Sequence, residues 1–412
     1  MKQLPFGKKP SPRFWLGCLG ILLFGTLLGS CSQDPIFAMI AREVKPREPR
    51  IKGVPTKMAI FDYNPGEYAL YVGGSSLFNY RQGEWDGVKI PQPPGKVVDL
   101  AATNACLYVL VNADSPELYR LKRGMGEWTR ISLAHTDFPR LQAVYGICDS
   151  EGKPNSDYLF VGAGRRNPSG NDANDYGVFY IDDNGGSLNP LHMDTGLLTG
   201  AAFDGGLYYF STKGDGIYLT GGLLPSGSTA SCRQITGKIN ARGMSRVGNM
   251  VLAFSYGGDI LKVDGSGTIK LNAGSAGPYL RGSSAVWKNS GGEDTLLLVA
   301  VIAQDSSLGP TYGYREITIK TGPLATSTPG EMPLREPGNG TTVYPSTMDD
   351  NNRFKDTIES KPVNSIFQTP ADVDPGMPLF ASVQGTGTSQ DDTDGGLWSY
   401  RVRDGIWQWN AE

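Results

Sequence analysis

Histidine is almost missing. The chain of 412 residues holds 2, too few for the multi-histidine metal sites and for most histidine-based proton transfer. Cysteine is sparse at 5, and no Cys-x-x-Cys pair occurs. Positive charge is in deficit: 38 Lys and Arg against 41 Asp and Glu give a net charge of −3. No basic stripe is present of the kind a nucleic-acid backbone requires. The single long apolar run is Phe14 to Leu28, short of the ~20 residues of a spanning helix. Gly-x-Ser-x-Gly, His-Glu-x-x-His and a phosphate-cradling Gly-rich loop are all missing, which removes the commonest signatures of hydrolases, zinc proteases and nucleotide enzymes.

What is abundant is glycine. There are 55 Gly and 28 Pro, and the glycine share is close to twice the usual ~7%. No three-residue period accompanies it, so a collagen-like chain is excluded. Hydrophobic residues at 39% and aromatics at 10% are enough for a core, which excludes wholesale disorder. Many short strands joined by tight turns satisfy all of these constraints.

The N-terminus reads as an address. Lys2, Lys8, Lys9 and Arg13 precede the apolar run, which ends Leu28-Gly29-Ser30-Cys31. This fits a secretory signal, and its last four residues resemble the lipobox of bacterial lipoproteins. The resemblance implies cleavage before Cys31, lipid on Cys31 and anchoring in a membrane. Ser32, in place of an aspartate that would retain the protein in the inner membrane, favours the outer membrane. Loss of residues 1–30 takes four basic residues and leaves a net charge of −7. Residues 31–55 follow as lipidated cysteine and tether, with an apolar stretch at Ile36–Ile40 and a charged, Pro-containing one at Glu43–Arg50. Cys106, Cys148 and Cys232 remain; small buried apolar roles suit them, with one disulfide open and no pair assigned.

Residues 56–412 repeat. An apolar strand, a polar turn and a second, very apolar strand precede a hairpin with an aromatic near its start. The opening pairs are Met58–Asp62 with Tyr68–Val72, Val97–Ala102 with Cys106–Val111, and Leu141–Cys148 with Tyr158–Val161. Then follow Gly200–Phe203 with Leu207–Phe210, Gly243–Val247 with Met250–Phe254, Ser284–Trp287 with Thr295–Ile302, and Val363–Phe367 with Pro378–Val383. Seven units over 357 residues average 51 each. Four strands at that period resemble the blades of a β-propeller, without the WD40 or kelch signatures. The fold expected is all-β: a propeller of seven four-stranded blades, with six or eight left open by the irregular stretch 321–362. Strands run first to fourth in chain order, with no strand exchanged between the ends. Gly-x-Trp at Trp85, Trp128 and Trp407 is expected to pack between blades.

In a propeller, the loops joining second to third strands share a face with the connections between blades. Three such loops are long, at 163–176, 303–313 and 384–395, and the stretch 321–362 joins the same face. Long loops on a rigid scaffold carry function, so the candidate ligand-binding residues are Arg165, Arg166, Asp172, Asp175, Asp305, Tyr312, Asp391, Asp392 and Asp394. Asp391, Asp392 and Asp394 faintly resemble a calcium loop but lack its later glutamate, so no cofactor is assigned. His135 and His192 read as structural. The favoured function is a non-enzymatic, lipid-anchored envelope module that binds a protein or a glycan, and not nucleic acid. A propeller hydrolase, lyase or lactonase acting on a sugar or small ester is one alternative. A scaffold subunit of an outer-membrane assembly complex is the other.

Overall fold

The computed structural model describes residues 51, 57–112, 114–132, 137–165, 175–224, 229–237, 239–247, 250–270, 280–288, 294–301, 314–318, 363–383, 395–403 and 406–412. Every described residue belongs to one compact unit, Glu48–Glu412. Its described elements are all strands.

Among the described residues, seven sheets follow one another along the chain. The first is β1 (Met58–Phe61), β2 (Ala69–Gly73), β3 (Leu77–Arg81) and β4 (Glu84–Trp85). The second is β5 (Val97–Ala102), β6 (Cys106–Val111), β7 (Glu117–Lys122) and β8 (Thr129–Ile131). The third is β9 (Arg140–Tyr145), β10 (Tyr158–Gly164), β11 (Tyr176–Asp182) and β12 (Asn189–Thr195). The fourth starts with β13 (Leu198–Asp204), β14 (Leu207–Thr212) and β15 (Gly216–Gly221). After β16 (Ala230–Ser231) it finishes with β17 (Arg233–Thr236). The fifth is β18 (Ala241–Val247), β19 (Met250–Ser255), β20 (Ile260–Asp264) and β21 (Gly267–Lys270). The sixth contains β22 (Leu280–Lys288), β23 (Asp294–Val301) and β24 (Tyr314–Thr318). The seventh is β25 (Val363–Gln368), β26 (Leu379–Val383), β27 (Gly396–Arg403) and β28 (Ile406–Ala411). Neighbouring strands within each sheet are antiparallel and in chain order. The one exception is β16, which lies parallel to β12 through Leu191↔Ala230 and His192↔Ser231 and gives the third sheet a fifth strand.

The protein is a β-propeller. First strands of successive sheets touch in sequence, and β25 touches β1, closing the ring. The seven buried apolar clusters fall one at each junction between consecutive sheets. This explains why second strands are apolar on both faces. In β6, Leu107, Val109 and Val111 enter the cluster shared with the first sheet, while Cys106, Tyr108 and Leu110 enter the one shared with the third. In β19, Val251 and Ala253 face the fourth sheet while Met250, Leu252 and Phe254 face the sixth. Each fully buried large apolar side chain contributes about 1.5–3 kcal/mol, so alternate residues of one strand hold two junctions together.

The seventh sheet is built from its own four strands, and main-chain and side-chain hydrogen bonds tie it to Ile51 and to the first sheet. Ile51, inside the stretch expected as tether, is buried; its N–H donates to the Glu412 carbonyl (2.7 Å) and its carbonyl accepts from Leu397 N–H (3.2 Å). Trp85 stacks edge-on to Phe380 at 5.9 Å, and its Nε1 donates to Glu412 Oε2 at 2.8 Å. Trp128 packs at the junction of the first two sheets and donates to the Pro91 carbonyl at 2.9 Å. Both indoles therefore pack between blades; the Trp407 side chain lies outside the described residues.

Candidate binding site: the mouth of the central channel

The seven first strands surround a cavity of about 320 Å³. Its wall is mostly small or apolar, with Ala59, Ala101, Ala201, Met244 and Ala285 along it. Polar groups enter it through one recurring backbone irregularity. First and second strands lose register by one residue at the same place in five sheets. The unpaired residues are Val98, Gln142, Thr199, Arg242 and Asn364. In the sixth sheet the irregularity is longer and spans Arg281–Ser283. In the first, Lys57 stands just before the first paired residue of β1, the corresponding place. A β-bulge turns its extra side chain out of the alternation of the strand. Here it does so at one level, near the N-terminal ends of the first strands.

The residue after the bulge is small where the next sheet presses on it. A Cβ on Gly200 would meet Met244 N at 2.5 Å, and one on Gly243 would meet the Gly282 carbonyl oxygen at 2.3 Å. Gly282 itself has φ +91° and lies against the Arg242 carbonyl, a conformation and a spacing that only glycine accepts without strain.

Lys57 is tied across three sheets. Its Nζ pairs with Asp99 Oδ2 at 2.8 Å, donates to the Val144 carbonyl at 2.5 Å and lies 3.4 Å above the Tyr145 ring. Asp99 also accepts from Val144 N–H and Leu100 N–H, both at 3.0 Å. Burial works against the ammonium, but Asp99 and Tyr145 together outweigh it and hold Lys57 above its ordinary value. Lys57 is therefore a fixed cation and not a base. Burial pushes Tyr145 up as well, against the opposing pull of Lys57.

Arg242 is arranged differently. Its guanidinium carbon lies 4.6 Å from the centre of the Tyr256 ring, a cation–π spacing. Tyr256 follows β19 on the face of the second-to-third loops, and its N–H donates to the Asn240 carbonyl at 2.8 Å. Arg242 thus stands at the channel mouth on that face. Its Nε is buried without a hydrogen bond, as are Ser284 Oγ and Asn364 Nδ2 on the next two first strands.

Of the residues expected to bind ligand, Arg165 is exposed on this same face at the end of β10, and Asp175 is 1% exposed and turned inward. The Arg165 N–H donates to the Asp175 carbonyl at 2.7 Å. Arg166, Asp172, Asp305, Tyr312, Asp391, Asp392 and Asp394 lie outside the described residues, as do Cys31, His135 and the His192 side chain. The strands that bound the long loops end at Gly164 and Tyr176, Val301 and Tyr314, and Val383 and Gly396, so β10 runs three residues beyond the expected Val161 and the others lie within one or two residues of expectation.

Sequence reasoning missed Arg242, Asn364 and Ser284. The available signal was a polar residue before a small one, repeated in first strands as Thr199-Gly200, Arg242-Gly243, Arg281-Gly282 and Asn364-Ser365. Nucleophile types near the site are held protonated. Cys148 lines the cavity and is pushed up to about 12 by burial, then by Asp149. Cys106, Cys148 and Cys232 are all free thiols. The described wall is suited to hydrogen bonding and charge recognition.

No family model and no curated protein matches this sequence. Among solved structures, the chain is similar to YCF48 bound to a D1 peptide, at 11% identity and a TM-score of 0.45, over 87% of this chain and 95% of that one. It is similar to YCF48 from Cyanidioschyzon merolae at 11% identity and 0.47, over 86% and 97%. It is also similar to the computationally designed Ika8 protein at 10% identity and 0.48, over 88% and 89%.

Proposed function

We propose that this chain is a lipid-anchored, non-enzymatic binding module of the bacterial cell envelope whose ligand docks at the channel mouth. The observation that carries the reading is the bulge ring. Six sheets break register at one level, and in three of them the break presents Thr199, Arg242 and Asn364 around one opening. Bulges recur beside functional sites because they re-aim side chains. The lipobox supports anchoring through Cys31 after loss of residues 1–30, with Ser32 favouring the outer membrane.

The anchor and the site are tested in one strain. The full-length chain, expressed in a diderm bacterium, is expected to incorporate labelled palmitate and to fractionate with outer membranes. Cys31→Ala is expected to lose both label and membrane association; retention of either overturns the anchor. Crosslinking in intact cells is expected to capture one partner in fixed ratio. Ser245→Trp places an indole on the channel wall and is expected to abolish that capture. Unchanged capture by this variant overturns the channel as the binding site.

A further inference from the structure

We infer that the channel mouth recognises a carboxylate on an acidic segment of a partner protein, and that Arg242 is the residue that binds it. This rests on the binding role proposed above and names the chemistry of its ligand.

The charges on the described wall do not balance locally. Lys57 is matched by Asp99 at 2.8 Å, and Arg246 by Asp204 at 3.3 Å. The carboxylates on and just behind the cavity wall are engaged as well. Asp99 holds Lys57, Glu151 pairs with Lys153 at 2.9 Å, and Asp149 accepts from the backbone of Glu151 and Lys153. Arg242 has no ion pair with any described residue. Its buried Nε, Asn364 Nδ2 and Ser284 Oγ lack hydrogen-bond partners on three successive first strands. Arg242 Nε and Asn364 Nδ2 can only donate, and Ser284 Oγ can donate as well as accept, so a negatively charged acceptor group completes this part of the wall.

The geometry suits a carboxylate. A guanidinium presents a planar fork that matches two carboxylate oxygens. Stacking on Tyr256 fixes the plane of Arg242 beforehand, so less side-chain freedom is lost on binding. The face given to Tyr256 is spent, while the edge of the fork remains for a ligand.

The surroundings favour a peptide over a sugar. Glycan sites lay sugar rings on open aromatic faces. Here Lys57 covers Tyr145 at 3.4 Å and Arg242 covers Tyr256 at 4.6 Å. What is left is a narrow opening walled by Ala59, Ala101, Ala201 and Ser245, of about 320 Å³. That admits an extended aspartate or glutamate side chain from a loop of the partner.

The test measures binding to the full chain in detergent by fluorescence anisotropy. The probes are a capped hexaglutamate peptide, its hexaglutamine counterpart and oligogalacturonate. Hexaglutamate is expected to bind and hexaglutamine not to. Arg242→Gln is expected to weaken hexaglutamate at least about tenfold, the scale of a charged hydrogen bond. Arg242→Lys, which keeps the charge without the fork, falls between. Arg130→Gln, an exposed arginine on the outermost strand β8, stays within about twofold of the parent. Equal binding of hexaglutamine, unchanged affinity in Arg242→Gln, or Arg242-dependent binding of oligogalacturonate alone each overturns the inference. Partner capture that survives Arg242→Gln but not Ser245→Trp refutes only the carboxylate. Capture that survives both removes the channel site as well.

Discussion

Replacing Asp183 by alanine is expected to loosen the junction between the second and third sheets. Asp183 sits in the turn after β11 and is 3% exposed. Its Oδ1 accepts from Thr103 Oγ1 at 2.5 Å and from the Tyr108 hydroxyl at 3.1 Å, and its Oδ2 accepts from Ala105 N–H at 3.0 Å. All three donors come from the second sheet and its first turn. A buried donor left without a partner costs about 1–3 kcal/mol. The three donors are not equal. Thr103 Oγ1 keeps the Cys106 carbonyl at 3.2 Å as a second acceptor. Ala105 is half-exposed in a turn, where water replaces the carboxylate. Tyr108 is fully buried and bears the full cost. Arg120 holds the Asp183 and Gly185 carbonyls at 3.1 and 2.7 Å, so the backbone of the turn stays in place. The expected loss is about 2–4 kcal/mol for Asp183→Ala and about half that for Asp183→Asn, which keeps one acceptor oxygen. Urea unfolding with an unchanged slope measures it. A loss below about 0.5 kcal/mol, the level of an ordinary surface substitution, refutes the reasoning.

The same residue gives a pH dependence of definite sign. Burial raises the Asp183 carboxyl above its ordinary value, against the lowering pull of Thr103, Ala105 and Tyr108. The folded protein therefore holds this proton more tightly than the unfolded chain. The stability gained is complete below the unfolded carboxylate range and is lost as pH rises through the higher folded value. Wild type should gain on Asp183→Asn as pH falls from 7 toward 4. The opposite trend would mean that the hydrogen bonds outweigh burial.

Two further outcomes follow from the channel wall and the thiols. Gly243→Ala puts a Cβ 2.3 Å from the Gly282 carbonyl oxygen and 2.6 Å from its Cα; both are backbone, so two first strands must part, at a cost of about 1–3 kcal/mol. Calorimetry should show a lowered midpoint, while Gly126→Ala, with open space around it, should show none. Cys106, Cys148 and Cys232 are each pushed up to about 12, chiefly by burial, so iodoacetamide at neutral pH should leave all three unmodified in the native chain and label them in guanidinium, as read by peptide mapping. Rapid native labelling of any of them would refute that environment.

Second strands were the most legible part of the sequence. A run such as Cys106–Val111 is apolar at every position because its alternate residues serve two cores, and no surface strand needs that. The Gly-x-Trp motif was legible for a similar reason: at Trp85 an aromatic beside a tight turn reaches the neighbouring sheet. The strand β16 was not legible. Two residues, Ala230 and Ser231, show no period, and their parallel pairing with β12 depends on where the connection crosses the outer edge. The bulges were hidden for another reason. One extra residue shifts the alternation and reads as noise within a six-residue strand, so Arg242 and Asn364 looked like breaks in a pattern. Loop length drew attention to the face on which Arg242 stands, but Arg242 itself is on a strand end and not in a long loop.

Glycine and the polar rim are two parts of one arrangement. First strands can converge around a narrow channel only where a side chain is absent, as at Gly200, Gly243 and Gly282, each of which meets backbone of the adjoining sheet within 2.5 Å of its missing Cβ. At the level of these glycines the wall has little room for a side chain in regular alternation. The bulge directly before the small residue gives a side chain an entry at that level. Thr199, Arg242 and Asn364 occupy it in three sheets. The requirement for close approach therefore also fixes the level of the recognition groups. Exchanging residues at the bulge changes what the mouth binds, while exchanging the residue after it changes whether the ring closes. Arg242 and Gly243, adjacent in sequence, should accordingly separate in experiment. The first is expected to alter affinity at constant stability, and the second to alter stability.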